Sequence, residues 1–143
     1  MADANKRFET IIEKLRGNYY KITPQRLAIA EILAKSTGHP SVEDIYGKLR
    51  KDHPSMSLAT VYRNVMLMKS LGEILELGFP DGSNRYDGNK PYPHPHIICI
   101  QCGKIIEPNL TTLQDMTKEV IQKTDFTILT HQLNFSGKCG DCK

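Results

Sequence analysis

Along its first half the chain repeats apolar residues every three or four positions, the period of a helix buried on one face. Phe8, Ile11, Ile12 and Leu15 form the first such stripe, and Gly17 with Asn18 stops it. Thr23 before Pro24 is an N-cap and first-turn pair. It opens a helix carrying Leu27, Ile29, Ile32 and Leu33, expected to run to about Gly38. Ser41 with Asp44 three residues on is an acidic form of the capping box, ahead of Val42, Ile45, Tyr46 and Leu49. His53-Pro54 should close that helix, because the residue before a proline is pushed out of helical space. Ser57 then begins a helix over 57–71 with apolar positions Leu58, Val61, Val65 and Met68, ended by Gly72. Ala59, Thr60, Arg63, Met66 and Ser70 fall on or near its opposite side.

The period then changes. Residues 73–77 and 84–87 read as two short strands joined by a loop containing Pro80, Asp81 and Gly82, a β-hairpin. Two helices with a tight connection followed by a hairpin make a winged helix-turn-helix, with 57–71 as the recognition helix and the hairpin as the wing. The same pattern also admits a plain helical bundle.

Composition shifts at Asn89, where NKPYPHPH holds three prolines and two histidines and cannot be regular helix. Beyond it, IICI and KIIE flank Gln101-Cys102-Gly103 as a second hairpin. Thr111 or Thr112 caps a helix with Leu113, Met116, Val120 and Ile121, and residues 126–137 alternate as a strand. The chain is therefore expected to be α+β, with a winged-helix domain over 1–88, a ligand-carrying linker over 89–95 and a small α/β domain over 96–143. The last would bury too little core to stand alone, and calls for a metal, a partner chain, or both.

Of the 143 residues, 39% are hydrophobic and 24% charged, the balance of a folded soluble protein. No apolar run approaches the roughly 20 residues of a membrane-spanning helix. The opening MADANKRFET lacks the apolar stretch of a secretory signal, so a cytoplasmic location with no membrane partner is expected. The formal charge of +3 says little about an anionic partner. Four thiolates around one dication would remove two of those three charges, so nucleic-acid binding must be argued from pattern.

Cys99-x2-Cys102 and Cys139-x2-Cys142 are two knuckles, each able to clasp one side of a tetrahedral ion. Four thiolates are a closed structural zinc set. Two disulfides are disfavoured in a cytoplasmic chain. A rubredoxin-like iron centre uses the same ligands and would make this a redox protein. A thioredoxin-like motif would need a βαβ pattern that is absent. Nitrogen and oxygen ligands gather elsewhere. His94 and His96 lie two apart at a strand's start, where their side chains can share a face. His39 sits between two helices, Asp87 ends the wing and Glu107 ends the strand after the knuckle. A mixed histidine and carboxylate set suits Fe²⁺, Mn²⁺ or Zn²⁺.

These residues resemble the ferric uptake regulator family of bacterial metal-dependent repressors. The matching stretches are TPQR (23–26), GHPSVEDIY (38–46), SLATVYRNV (57–65), SNRYD (83–87), HPHIICIQCGK (94–104) and the last CxxC, in order along nearly the whole chain. The resemblance implies a homodimer, joined through the C-terminal domain, that represses transcription by binding palindromic double-stranded operators. Its regulatory site falls on His39, Asp87, His94, His96 and Glu107, with Fe²⁺ or Mn²⁺ as regulatory metal beside structural Zn²⁺ on the cysteines. Within the recognition helix, Thr60, Tyr62 and Arg63 match the segment that meets DNA. A further metal site of some relatives maps to Pro93, Pro95, Gln114 and His131, which implies that it is absent here and that His131 is structural.

SNRYD and the single compact regulatory site are similar to the peroxide-responsive branch of the family, in which bound iron reacts with hydrogen peroxide and a ligating histidine is oxidised. Carried over, the oxidisable residues are His39 and His94. That branch typically has Asp at the position of Glu107, and a longer carboxylate can chelate through both oxygens and close the position peroxide needs. An iron-availability repressor with reversible Fe²⁺ binding is therefore the alternative. An enzyme is not expected, since no GxSxG, P-loop or HExxH motif is present and the cysteines are better explained as ligands. A zinc-ribbon adaptor that binds only protein is the third class.

Overall fold

The computed structural model describes residues 3–79, 82 and 84–143. Two compact units, Met1–Tyr92 and Pro93–Lys143, are described in turn.

The first unit opens with α1 (Ala4–Gly17), capped by the Asp3 carboxylate, which accepts the Asn5 N–H at 3.0 Å. Helix α2 (Pro24–Lys35) begins where expected: the Thr23 hydroxyl accepts the Arg26 N–H at 3.2 Å. It ends at Lys35 rather than near Gly38, because Ser36 turns to extended backbone. Helix α3 (Val42–Leu49) carries the full capping box, with Ser41 N–H donating to the Asp44 carboxylate and Asp44 N–H donating to the Ser41 hydroxyl. It stops at Leu49, well before His53-Pro54, and the chain turns through 50–56 to α4 (Leu58–Ser70). The proline is not the terminator; the turn after Leu49 is.

The buried faces are Ile11, Ile12 and Leu15 of α1, Ile29, Ala30, Leu33 and Ala34 of α2, and Val42, Ile45 and Leu49 of α3. Val61, Val65 and Met68 of α4 close the same core, with Met56, Ile74 and Tyr86. Each fully buried aliphatic side chain stabilises the unit by about 2 kcal/mol. Two expected stripe members fall outside this core: Leu27 and Leu58 are exposed at the first turns of their helices. The expected hairpin forms as β1 (Leu75–Gly78) antiparallel to β2 (Asn84–Asp87), with Leu75 opposite Asp87 and Gly78 opposite Asn84. Strand β1 starts two residues later than read from the sequence. Of the loop between them, Pro80, Asp81 and Ser83 lie outside the described residues. Helix α3, a turn, α4 and this hairpin form a winged helix-turn-helix, not a plain bundle.

In the second unit, β3 (His96–Cys99) is central, antiparallel to β4 (Ile105–Ile106) and parallel to β5 (Asn134–Gly137). Helix α5 (Leu113–Lys123) follows Thr112, whose side chain makes no capping bond, contrary to expectation. The long strand read over 126–137 shrinks to its last four residues, Asn134–Gly137, which pair with β3. Alternation signals a half-buried surface, but a strand also needs a neighbour to accept its hydrogen bonds. Pro95, Ile98 and Cys99 are the buried apolar residues described in this unit. Phe126, Leu129, Phe135, Met116, Val120 and Ile121 are exposed.

Candidate metal centres and recognition helix

The four cysteines converge within the second unit. Cys99 closes β3 and Cys102 lies in the turn to β4, where Gly103 adopts φ 76° and donates its N–H back to the Cys99 carbonyl at 2.9 Å. That positive φ is the left-handed conformation that glycine tolerates best. Cys142 N–H donates to the Cys139 carbonyl at 3.0 Å, so the second CxxC is also a tight knuckle. One sulfur from each of the four residues lies within 4.8 Å of the others, and all four thiols are free. The Cys102 and Cys139 sulfurs are 3.8 Å apart. A tetrahedral ion with metal–sulfur bonds of about 2.3 Å sets its sulfurs about 3.8 Å from one another, so the donor set fits zinc. It does not fit disulfides, whose sulfurs bond at about 2.05 Å.

Backbone amides prepare these sulfurs for a cation. N–H groups of Cys102 first, then of Cys139 and Gln101, hold the Cys99 thiol down at about 6. Cys139 N–H lies 3.4 Å from the Cys99 sulfur. The Cys139 thiol is also lowered, chiefly by the Cys142 side chain, whereas Cys142 is pushed up to about 12 by its bond with Cys139. The cluster thus favours thiolate at some members and retains a proton at another, until a dication replaces it.

The histidines and carboxylates form a pair in each unit. In the first unit, His39 Nε2 lies 3.3 Å from Asp87 Oδ2, and both side chains are buried. His39 stands between Gly38 and Pro40 with φ 51°, an uncommon conformation for a residue with a side chain. Strand β2 holds it there. Tyr86 N–H donates to the Pro40 carbonyl at 3.0 Å, and Arg85 Nη1 donates to the His39 carbonyl at 3.3 Å. Backbone of this kind costs on the order of 1 kcal/mol and persists where its surroundings over-determine it, which marks functional positions. Tyr86 itself is buried, and its hydroxyl donates to Glu76 Oε1 at 3.1 Å. Burial, then the Glu76 carboxylate, raise the phenol well above its ordinary value.

In the second unit, His94 Nε2 lies 3.2 Å from Glu107 Oε1. The His94 and His96 rings are 4.2 Å apart, so the two side chains do share a face. His96 is fully buried. Glu107 follows β4 directly, one residue beyond the strand it was expected to end. His131 sits just before β5 with its Nε2 buried and without a hydrogen-bond partner among the described residues.

On α4, Tyr62 and Arg63 are exposed, while Thr60 is half-buried and engaged. Its N–H donates to the Ser57 hydroxyl at 3.1 Å, its own hydroxyl lies 2.9 Å from that oxygen, and Arg63 Nη2 donates to it at 3.4 Å. Thr60 therefore serves the helix cap and steadies Arg63. Sequence reasoning missed the supports around Asp87, namely Arg7, Glu73 and Asn89. No local signal marks the side-chain contacts of these residues with Gly88, Glu73 and Ala34, because the paired residues lie 81, 66 and 55 positions apart.

Comparison with known proteins decides the family. The model of the ferric uptake regulator family matches residues 17–136. The chain belongs to the ferric uptake regulator family. It is 38% identical over 135 residues to the peroxide-responsive repressor PerR of Staphylococcus saprophyticus, covering 94% of this chain and 90% of that one. Its structure superposes on the ferric uptake regulator Fur of Helicobacter pylori, a protein with three functional metal binding sites, with a TM-score of 0.82. That match has 27% identity and covers 98% of this chain and 93% of that one. A second structural relative is PerR of Streptococcus pyogenes, at 32% identity and TM-score 0.55, over 95% and 92% of the two chains. Like these family members, the chain is a metal-responsive regulator rather than an enzyme, with the family's α+β fold. No helix among the described residues is long and apolar enough to cross a membrane.

Proposed function

We propose that this chain is a cytoplasmic, homodimeric repressor that binds palindromic DNA and responds to peroxide through oxidation of a metal-ligating histidine. The observation that carries the reading is the similarity to PerR of Staphylococcus saprophyticus along nearly the whole of both chains. The ligand chemistry supports it. Cys99, Cys102, Cys139 and Cys142 hold a structural Zn²⁺, and His39, Asp87, His94, His96 and Glu107 together hold a regulatory Fe²⁺ or Mn²⁺. With ligands drawn from both units, metal binding favours one arrangement of the DNA-binding units over others, which is the differential contact a metal switch requires. The exposed apolar side chains of the second unit supply the surface for its partner copy. Thr60, Tyr62 and Arg63 face DNA, with Arg63 taking a guanine edge or a phosphate.

Iron, when bound, would mediate electron transfer to peroxide and return to its starting state, so that the two electrons that reduce one peroxide oxygen to water come from the imidazole. The net change on the protein is one oxygen atom gained at an imidazole carbon of His39 or His94, while the other oxygen of peroxide leaves as water. An oxidised ring is a poorer ligand, so the metal-closed form is lost. The test is to load the zinc form with Fe²⁺ without oxygen, add one equivalent of hydrogen peroxide, and map oxidation by peptide mass spectrometry. Oxygen at His39 or His94, absent with Mn²⁺, is the expected result. Intact histidines would favour the second reading, an iron-availability repressor with reversible Fe²⁺ binding. Glu107 supports that reading, because its longer carboxylate can occupy the coordination position peroxide needs.

A further inference from the structure

The Asp87 carboxylate divides its two oxygens between two tasks. Oδ1 accepts the N–H groups of Asn89 and Lys90, both at 2.9 Å, and so closes a turn over 87–90. Oδ2 is the oxygen that lies 3.3 Å from His39 Nε2. Because one oxygen is tied to the turn, the direction of the other is set by where that turn sits.

Three contacts fix the turn, all from helices remote in sequence. Asn89 Nδ2 donates to the Ala34 carbonyl of α2 at 2.9 Å. Gly88 is buried against Leu33 so closely that a Cβ on it would lie 2.8 Å from Leu33 Cβ and 2.9 Å from Leu33 O. The third is Arg7 of α1, whose Nε donates to the Gly88 carbonyl at 3.0 Å. Arg7 is itself fixed, since Nη2 donates to the Glu73 carbonyl at 3.1 Å and to Glu73 Oε2 at 2.8 Å. The Arg7 and Glu73 side chains are only 15% and 13% exposed, so this pair is well shielded from solvent. A planar guanidinium reaches Gly88 and Glu73 together through differently directed N–H groups, and a lysine ammonium does not reproduce that fork.

We infer that Arg7 is a positioning residue for the regulatory metal: its guanidinium clamps the turn that aims the Asp87 carboxylate at His39. The inference rests on the reading that Asp87 and His39 are metal ligands. It extends the metal-binding half of the first unit to the N-terminal helix, which takes no part in the helix-turn-helix. Groups that orient a ligand from behind typically cost about 10- to 100-fold in metal affinity when removed.

The test uses the full-length, zinc-replete protein and Mn²⁺ alone, titrated against a chelating indicator, with the melting temperature of each variant measured without Mn²⁺. Arg7→Lys keeps a cation beside Glu73 but gives up the Nε bond to Gly88. It is expected to weaken Mn²⁺ binding about tenfold or more. Gly88→Ala, with Arg7 intact, is expected to weaken it as well, because the turn must leave Leu33. Faster hydrogen exchange at the Asn89 amide in both variants would report the loosened turn directly. A lowered melting temperature with Mn²⁺ affinity within about twofold of wild type would make Arg7 a purely structural residue and overturn the inference. If Arg7→Lys fails to fold, Gly88→Ala with Arg7 intact still decides. The parent reading has its own control in His39→Ala. If that variant binds Mn²⁺ as wild type does, the regulatory site falls and the inference with it. If His39→Ala loses binding while Arg7→Lys and Gly88→Ala retain it, only the inference falls.

Discussion

The two units are built on opposite principles. The first buries apolar stripes from four helices and closes them with Tyr86 of the wing, whereas the second buries little beyond Ile98, Cys99 and His96. Unit one can rest on hydrocarbon removed from water, since more than a dozen fully or nearly buried side chains share one core. Unit two, 51 residues from Pro93 to Lys143, has no such reserve and leaves much of α5 and the 126–135 segment exposed. A domain of that size needs a metal or a partner to offset the entropy of ordering its chain. The difference teaches where each kind of damage should be felt.

Removing the metal should separate the units most sharply. Stripping zinc with a chelator, or Cys99→Ser, should unfold residues 93–143, since structural zinc contributes on the order of 10 kcal/mol to small domains. Hydrogen exchange read by mass spectrometry should show protection lost there while α1–α4 stay protected. Equal loss in both units would break the comparison. The reverse experiment is Ile45→Ala, which opens a cavity in the first core. It should cost about 2–5 kcal/mol in denaturant unfolding of that unit and leave the zinc content unchanged.

A smaller effect concerns function alone. Arg63→Ala should weaken operator binding by about 1–3 kcal/mol, measured by fluorescence anisotropy at fixed salt, with no change in melting temperature. A drop in stability of similar size would mean that Arg63 serves the helix through Thr60 instead. The smallest effect lies at the α3 cap. The Ser41 N–H, the largest of several influences, holds the Asp44 carboxyl below its ordinary 3.8. A carboxyl lowered in the folded state stabilises above its ordinary value, and that contribution is lost as pH falls through the folded value. Asp44→Ala should therefore cost about 0.5 kcal/mol near neutral pH, since the group is exposed and screened. In acid stronger than the folded value, wild type and variant should unfold alike.

Much of the candidate chemistry was legible in the chain because its signals are local. Thr23-Pro24, the Ser41–Asp44 box and Ser57 start helices where the sequence places them, since a cap needs only neighbours within one turn. The two CxxC knuckles announce a tetrahedral site because each pair is clasped by its own turn. Where elements end was harder to read. Helix α3 stops at Leu49 and not at His53, and β5 keeps only Asn134–Gly137, because strand pairing depends on β3, more than 30 residues earlier. What the sequence by itself determined is the order of the elements, the apolar faces and the kinds of ligand. Tertiary structure alone decided how those ligands are aimed. It set the left-handed backbone at His39, the division of the Asp87 oxygens and the reach of Arg7 from α1 to Gly88. The physical reason is range: caps and periodicity act within a turn or two, whereas the direction of a buried carboxylate depends on partners that meet only after the chain has folded.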